Sequence, residues 1–151
     1  MEDWLRDSIA LESARRSKIN YFTSIVGPFL DRLQERISKD IRAFTGVFEQ
    51  EAISVHSGNR LEFHVSNVRA GNPIPSVTVS ASPYQMCLYL EFAGVGPYSI
   101  KTPLRVENGE AQLASFESED YAISATSRLI LYPILFPSLP HDPAVYRVKQ
   151  L

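Results

Sequence analysis

Three groups of residues in this 151-residue chain are of types that could do chemistry. His56, Glu62 and His64 lie close together in one short stretch. Two imidazoles and a carboxylate can hold a divalent metal while leaving coordination positions open. The competing reading is a wetted hairpin face with an ordinary His–Glu contact, and this spacing favours it. The second group is Cys87 with Tyr89 and Glu91. A nucleophilic thiol needs a nearby base or a helix N-terminus to lower its pKa. Within the run MCLYLEF, Cys87 is expected instead to pack as a small apolar residue. The third group, Tyr89, Glu91, Lys101 and Arg105, could bind an anion or orient a ligand. Its plainer alternative is a cross-strand Glu91–Lys101 ion pair, contributing roughly 0.2–1 kcal/mol.

Sharper motifs are missing. The chain holds no Walker loop, no HExxH and no GxSxG. Gly94-Val95-Gly96 lacks a third glycine and a following helix, and so reads as a turn. No catalytic set and no cofactor site is assigned on these grounds.

The elements that would position these residues differ between two parts of the chain. The first 50 residues hold 16 charged side chains, eight of each sign, and the remaining 101 also hold 16. In the charge-rich front, Ile19, Phe22, Ile25/Val26, Phe29/Leu30, Leu33, Ile37, Ile41, Phe44 and Val47/Phe48 recur every three or four residues. That period predicts an amphipathic helical segment over 1–48. Gly27-Pro28 interrupts it, because proline lacks an N–H and crowds the preceding turn. The pattern allows two helices, about 2–25 and 28–45, or one long helix kinked between them.

From about residue 52 the alternation is strand-like, and a sheet is expected over 52–136. A three-residue loop at Ser57-Gly58-Asn59 would pair Val55 with Leu61 and Ile53 with Phe63. The turn Ser82-Pro83-Tyr84-Gln85 would align Ala81 with Met86, Val79 with Leu88 and Val77 with Leu90. Asn108-Gly109, the strongest hairpin signal present, pairs Val106 with Ala111 and Leu104 with Leu113. Tyr121 to Arg128 fits strand or short helix equally. Leu129 to Phe136 reads as a buried strand, although Pro133 suits an edge. Prolines 137, 140 and 143 make 137–151 an extended arm.

The expected architecture is a single α+β domain. An N-terminal helix or helix pair packs on one face of a curved antiparallel meander of about six or seven strands. The period of two then gathers Ser54, His56, Glu62, His64, Thr78, Ser80, Cys87, Tyr89, Glu91, Ser99, Lys101, Arg105 and Gln112 on the opposite face.

Composition narrows the function classes. A net charge of −2 with no basic cluster argues against nucleic-acid binding. The longest apolar run is too short for a membrane span, and the N-terminus carries acids where a secretory signal carries bases. One cysteine excludes an intrachain disulfide and fits a reducing, cytoplasmic setting. Trp4, Leu5, Ile9 and Leu11 exceed what one sheet face can cover. The first expectation is therefore a non-catalytic binding or assembly module with a homo-oligomeric or protein partner. The alternative is a small-molecule binder or small enzyme with a pocket between helix and sheet.

Overall fold

A computed structural model describes residues 1–58, 61–96, 98–107, 110–113 and 119–139. The fold is α+β. A 45-residue helix, α1 (Asp3–Val47), leads into strands β1 (Ile53–Ser57), β2 (Glu62–Asn67), β3 (Ser76–Ser82), β4 (Cys87–Ala93), β5 (Ser99–Glu107) and β6 (Glu110–Leu113). A second helix, α2 (Glu119–Leu135), follows.

The front is one helix and not two. Pro28 lies inside α1 on its exposed side, while Val26, Phe29 and Leu30 around it are buried. The hydrogen bond that proline cannot make is thus lost where water can take its place, and the buried stripe runs on unbroken. Phe22, Val26, Phe29, Leu30, Leu33, Ile37 and Ile41 form that stripe at three- and four-residue spacing.

The strands follow chain order and pair antiparallel throughout. β1 to β5 form one continuous five-stranded sheet, fewer than the six or seven strands expected. The far half of β5 then pairs with the short β6 in a separate ladder. α1 touches β1 at one edge of the sheet and also the separate strand β6.

Two registers depart from expectation. Val55 pairs with Val65 and Ser57 with Phe63, four positions further along β2 than a three-residue loop would allow. Ala81 pairs with Leu88, Val79 with Leu90 and Val77 with Phe92, a shift of two in β4. The β1–β2 turn sits two residues further along the chain, with the Gly58 N–H donating to the Glu62 carbonyl, and the β3–β4 connection is two residues longer than a tight turn. Both shifts are even, so every apolar residue keeps its face, as burial demands. The β5–β6 register, Leu104 with Leu113 and Val106 with Ala111, is the one that Asn108-Gly109 specifies. That turn and the Pro-rich segment from 140 onward lie outside the described residues.

Residues 119–135 are one helix: of the two readings open for Tyr121–Arg128 the helical one holds, and Leu129–Leu135, expected as a buried strand, continues the same helix. Leu129, Ile130, Leu131 and Ile134 are buried, as are Ala122, Ile123, Thr126 and Ser127. α2 packs against α1 and also against β2 and β3, so it is covered on nearly all sides. A helix in that position shows no amphipathic period.

The core lies between the helices and the inner face of the sheet. Val79, Leu88 and Leu90 are fully buried and Ile100 nearly so, together with the α1 stripe and α2. Two polar contacts fix the helices in place. Ser127 donates its hydroxyl to Asp40 at 2.7 Å, and the same carboxylate receives Arg36 Nε. Asn67 at the end of β2 donates to the Ile134 carbonyl in the last turn of α2. That turn leaves carbonyls without helical partners, and the asparagine supplies one. The sequence gives no signal for this role of Asn67.

Candidate functional site

The outward face of the sheet carries two rows of polar residues running straight across the strands. The paired registers place His56, His64, Thr78, Glu91 and Ser99 side by side on five successive strands. A second row holds Glu62, Ser80, Tyr89 and Lys101. Flat alternation on a half-solvated sheet produces this arrangement, with burial falling on every other residue of β2 and β3.

His56 and His64 stand directly opposite one another, closer than the expected register would have put them. Their rings turn to different neighbours. His64 Nε2 lies 2.9 Å from Glu62 Oε1, and its Nδ1 lies 2.9 Å from the Thr78 hydroxyl. A carboxylate only accepts, so Nε2 carries the proton, and in the neutral ring Nδ1 then accepts from Thr78. His56 Nε2 lies 2.6 Å from the Ser54 hydroxyl. Both faces of the His64 ring edge are thus already engaged within the protein. Among the described residues, no group of three or more His, Cys, Asp or Glu is arranged to hold a metal ion.

Cys87 belongs to the outward set by parity, yet it is buried. It sits in the ladder between Ser82 and Pro103. Tyr89, two residues along, has its phenol pushed above the ordinary value, first by a side-chain hydrogen bond with Cys87 and then by desolvation. The Tyr89 hydroxyl also donates to Gln85 Oε1. No base or helix N-terminus is placed on the thiol by these contacts, so the arrangement suits packing.

Glu91 pairs with Ser99 and therefore lies diagonal to Lys101, as the sequence predicts. The ion pair does not form. Lys101 instead holds its ammonium over the Tyr89 ring, 5.9 Å from the centroid. Glu91, Ser99, Lys101 and Arg105 are exposed. The four residues grouped as a ligand site are thus spread along two strands on an open face. They do not converge on one point.

A different surface stands out on α1. Its buried stripe begins at Phe22, and every residue from Asp3 to Leu11 is exposed. A helix repeats its orientation after five turns, or about 18 residues. Trp4 therefore faces as Phe22 does, and Leu11 as Phe29 does. Leu5 repeats the direction of Ile41 after ten turns. Phe22, Phe29 and Ile41 are buried, whereas Trp4 is 67% and Leu11 75% exposed. The apolar stripe thus continues past the body of the protein along a free helical arm. Glu12 and Arg15 share this face and satisfy each other through a two-point contact of 2.8 and 2.9 Å, and Arg16 bonds the same carboxylate. These contacts hold the Glu12 carboxyl at about 2, well below its ordinary range, with the Arg15 hydrogen bond the main cause. Arg15 also lies over the Tyr84 ring in the β3–β4 loop, 5.6 Å from its centroid, where the arm leaves the sheet.

No helix is long and apolar enough to cross a membrane among the described residues. No family model, curated protein or solved structure matches the chain.

Proposed function

We propose that the protein is a non-catalytic assembly module that associates through the free arm of α1. The observation that carries this reading is the continuity of the apolar stripe. Trp4, Leu5 and Leu11 face as core residues of the same helix do, but they are exposed and nothing among the described residues covers them. Apolar side chains in one line on an ordered helix are the usual form of a helix-docking surface. The sheet's outward face supports this reading indirectly, because its histidines and cations are engaged by neighbours or dispersed across an open plane.

Sedimentation at micromolar concentration tests it. The wild-type chain is expected to run as a dimer or larger species. Replacing Trp4 and Leu11 together by serine is expected to yield a monomer that keeps the wild-type circular dichroism spectrum, since neither side chain contributes to the core. A wild-type chain that stays strictly monomeric at high micromolar concentration overturns the proposal.

A further inference from the structure

We infer that the occupant of the arm is the same arm of a second copy, lying antiparallel to it. This rests on the assembly reading above and adds the partner and its orientation.

Charge along the arm selects the partner and its orientation. The N-cap and first turns of α1 carry the side chains of Glu2, Asp3 and Asp7 against a single basic side chain, Arg6. The turns nearest the body carry Arg15, Arg16 and Lys18 against a single carboxylate, Glu12. The arm is therefore acidic at its tip and basic at its root, with the exposed Trp4, Leu5, Ile9 and Leu11 between and among these charges. A surface whose two ends complement each other is what a two-fold contact between identical chains requires. Parallel arms would set acid beside acid and base beside base, which is destabilising.

With the two-fold axis near residue 10, the geometry follows from the helical rise. Asp3 and Asp7 of one copy lie alongside Lys18 and Arg15 of the other. Trp4 reaches the root of the second copy's arm, where Arg15 lies over Tyr84, a ring that is 74% exposed. An indole placed there gains both apolar contact and a cation over an aromatic face. The bodies stand at opposite ends of the pair, so the two sheets do not collide.

Charge reversal tests the orientation. One variant carries Asp3→Lys and Asp7→Lys, and the other Arg16→Glu and Lys18→Glu. All four positions are exposed, and circular dichroism verifies that each variant folds. Each alone is expected to weaken self-association about tenfold or more, and an equimolar mixture to restore a mixed dimer. A spin label on Glu2→Cys, with the buried Cys87 left unlabelled, reads the direction. Antiparallel arms separate the two labels by roughly 24 Å along the axis, against a spacing of about 10 Å for parallel neighbours. Association that depends on Trp4 and Leu11 but ignores charge reversal, or a short label distance, overturns this inference and leaves the assembly reading standing. A wild-type monomer overturns both.

Discussion

Asn67 Nδ2 donates to the main-chain oxygen of Ile134 at 2.9 Å, joining the second strand to the end of the last helix inside the core. The residues are far apart in sequence, and both are buried. The contact serves a carbonyl that the helix itself cannot satisfy.

Asn67→Ala is expected to destabilise the fold by about 1–3 kcal/mol, because it leaves the Ile134 carbonyl buried without this donor. Asn67→Asp is expected to cost more, since it replaces a donor with a charge that also needs solvation. Urea unfolding of the two variants beside the wild type measures this. Equal midpoints for all three would refute the role given to the amide.

Gly94 closes the turn after β4 with a positive φ of 77°. A side chain there would run into the main-chain carbonyl of Ile74, in the loop leading into β3. Gly94→Ala is expected to destabilise by about 1–3 kcal/mol, combining a strained backbone with a clash. Gly46 has open space around the same position and no positive φ, so Gly46→Ala serves as the control. Thermal unfolding separates the two.

Glu12 supplies a dependence on pH. Its pKa in the folded arm lies below the ordinary carboxylate value of 4.5, at about 2, chiefly through the hydrogen bond from Arg15. The ionised carboxylate therefore favours the helical arm above pH 4.5. That contribution is lost as pH falls from 4.5 through about 2. Protection factors of amides 3–21, referred to the intrinsic exchange rate at each pH, are expected to fall over this window, while those of the core helix segment 22–41 change less. Glu12→Gln is expected to abolish the difference.

Cys87 is expected to resist alkylation in the native state and to react fully once the protein is unfolded, since its side chain is buried between β3 and β5. Mass spectrometry after brief treatment with a maleimide, with and without denaturant, distinguishes this from a reactive thiol.

The faces of the strands were readable from the sequence, while the registers were readable only where the turn left no choice. Asn108-Gly109 admits a two-residue connection, and the Val106–Ala111 pairing follows from it. After Gly58 the turn is displaced by two residues, and at Pro83 the connection is two residues longer than the shortest turn that parity allows. Val55 therefore meets Val65 and not Leu61, although both partners lie on the same face. The second half of α2 was read as a strand for a physical reason. A helix covered by α1 on one side and by β2 and β3 on another must be apolar nearly all round, and so loses the periodicity that identifies a helix. Its Pro133 sits two residues before the end, so the helix tolerates a residue that argued for a strand edge. His56, His64, Thr78, Glu91 and Ser99 share one row of the outward face as alternation expects, whereas Cys87, of the same parity, is buried. What alternation could not reveal was the choice of partner, such as Lys101 taking the Tyr89 ring over Glu91.

That Pro28 interrupts no more than one exposed hydrogen bond has a mechanical consequence. The segment bearing Trp4 and the segment anchored by Phe29 and Leu33 belong to one continuous helix, so the tip takes its bearing on the sheet from the anchored half. Whatever grips the tip inherits that bearing without first having to tame a swinging tether, and a twist applied there is delivered straight into the seam between the two helices.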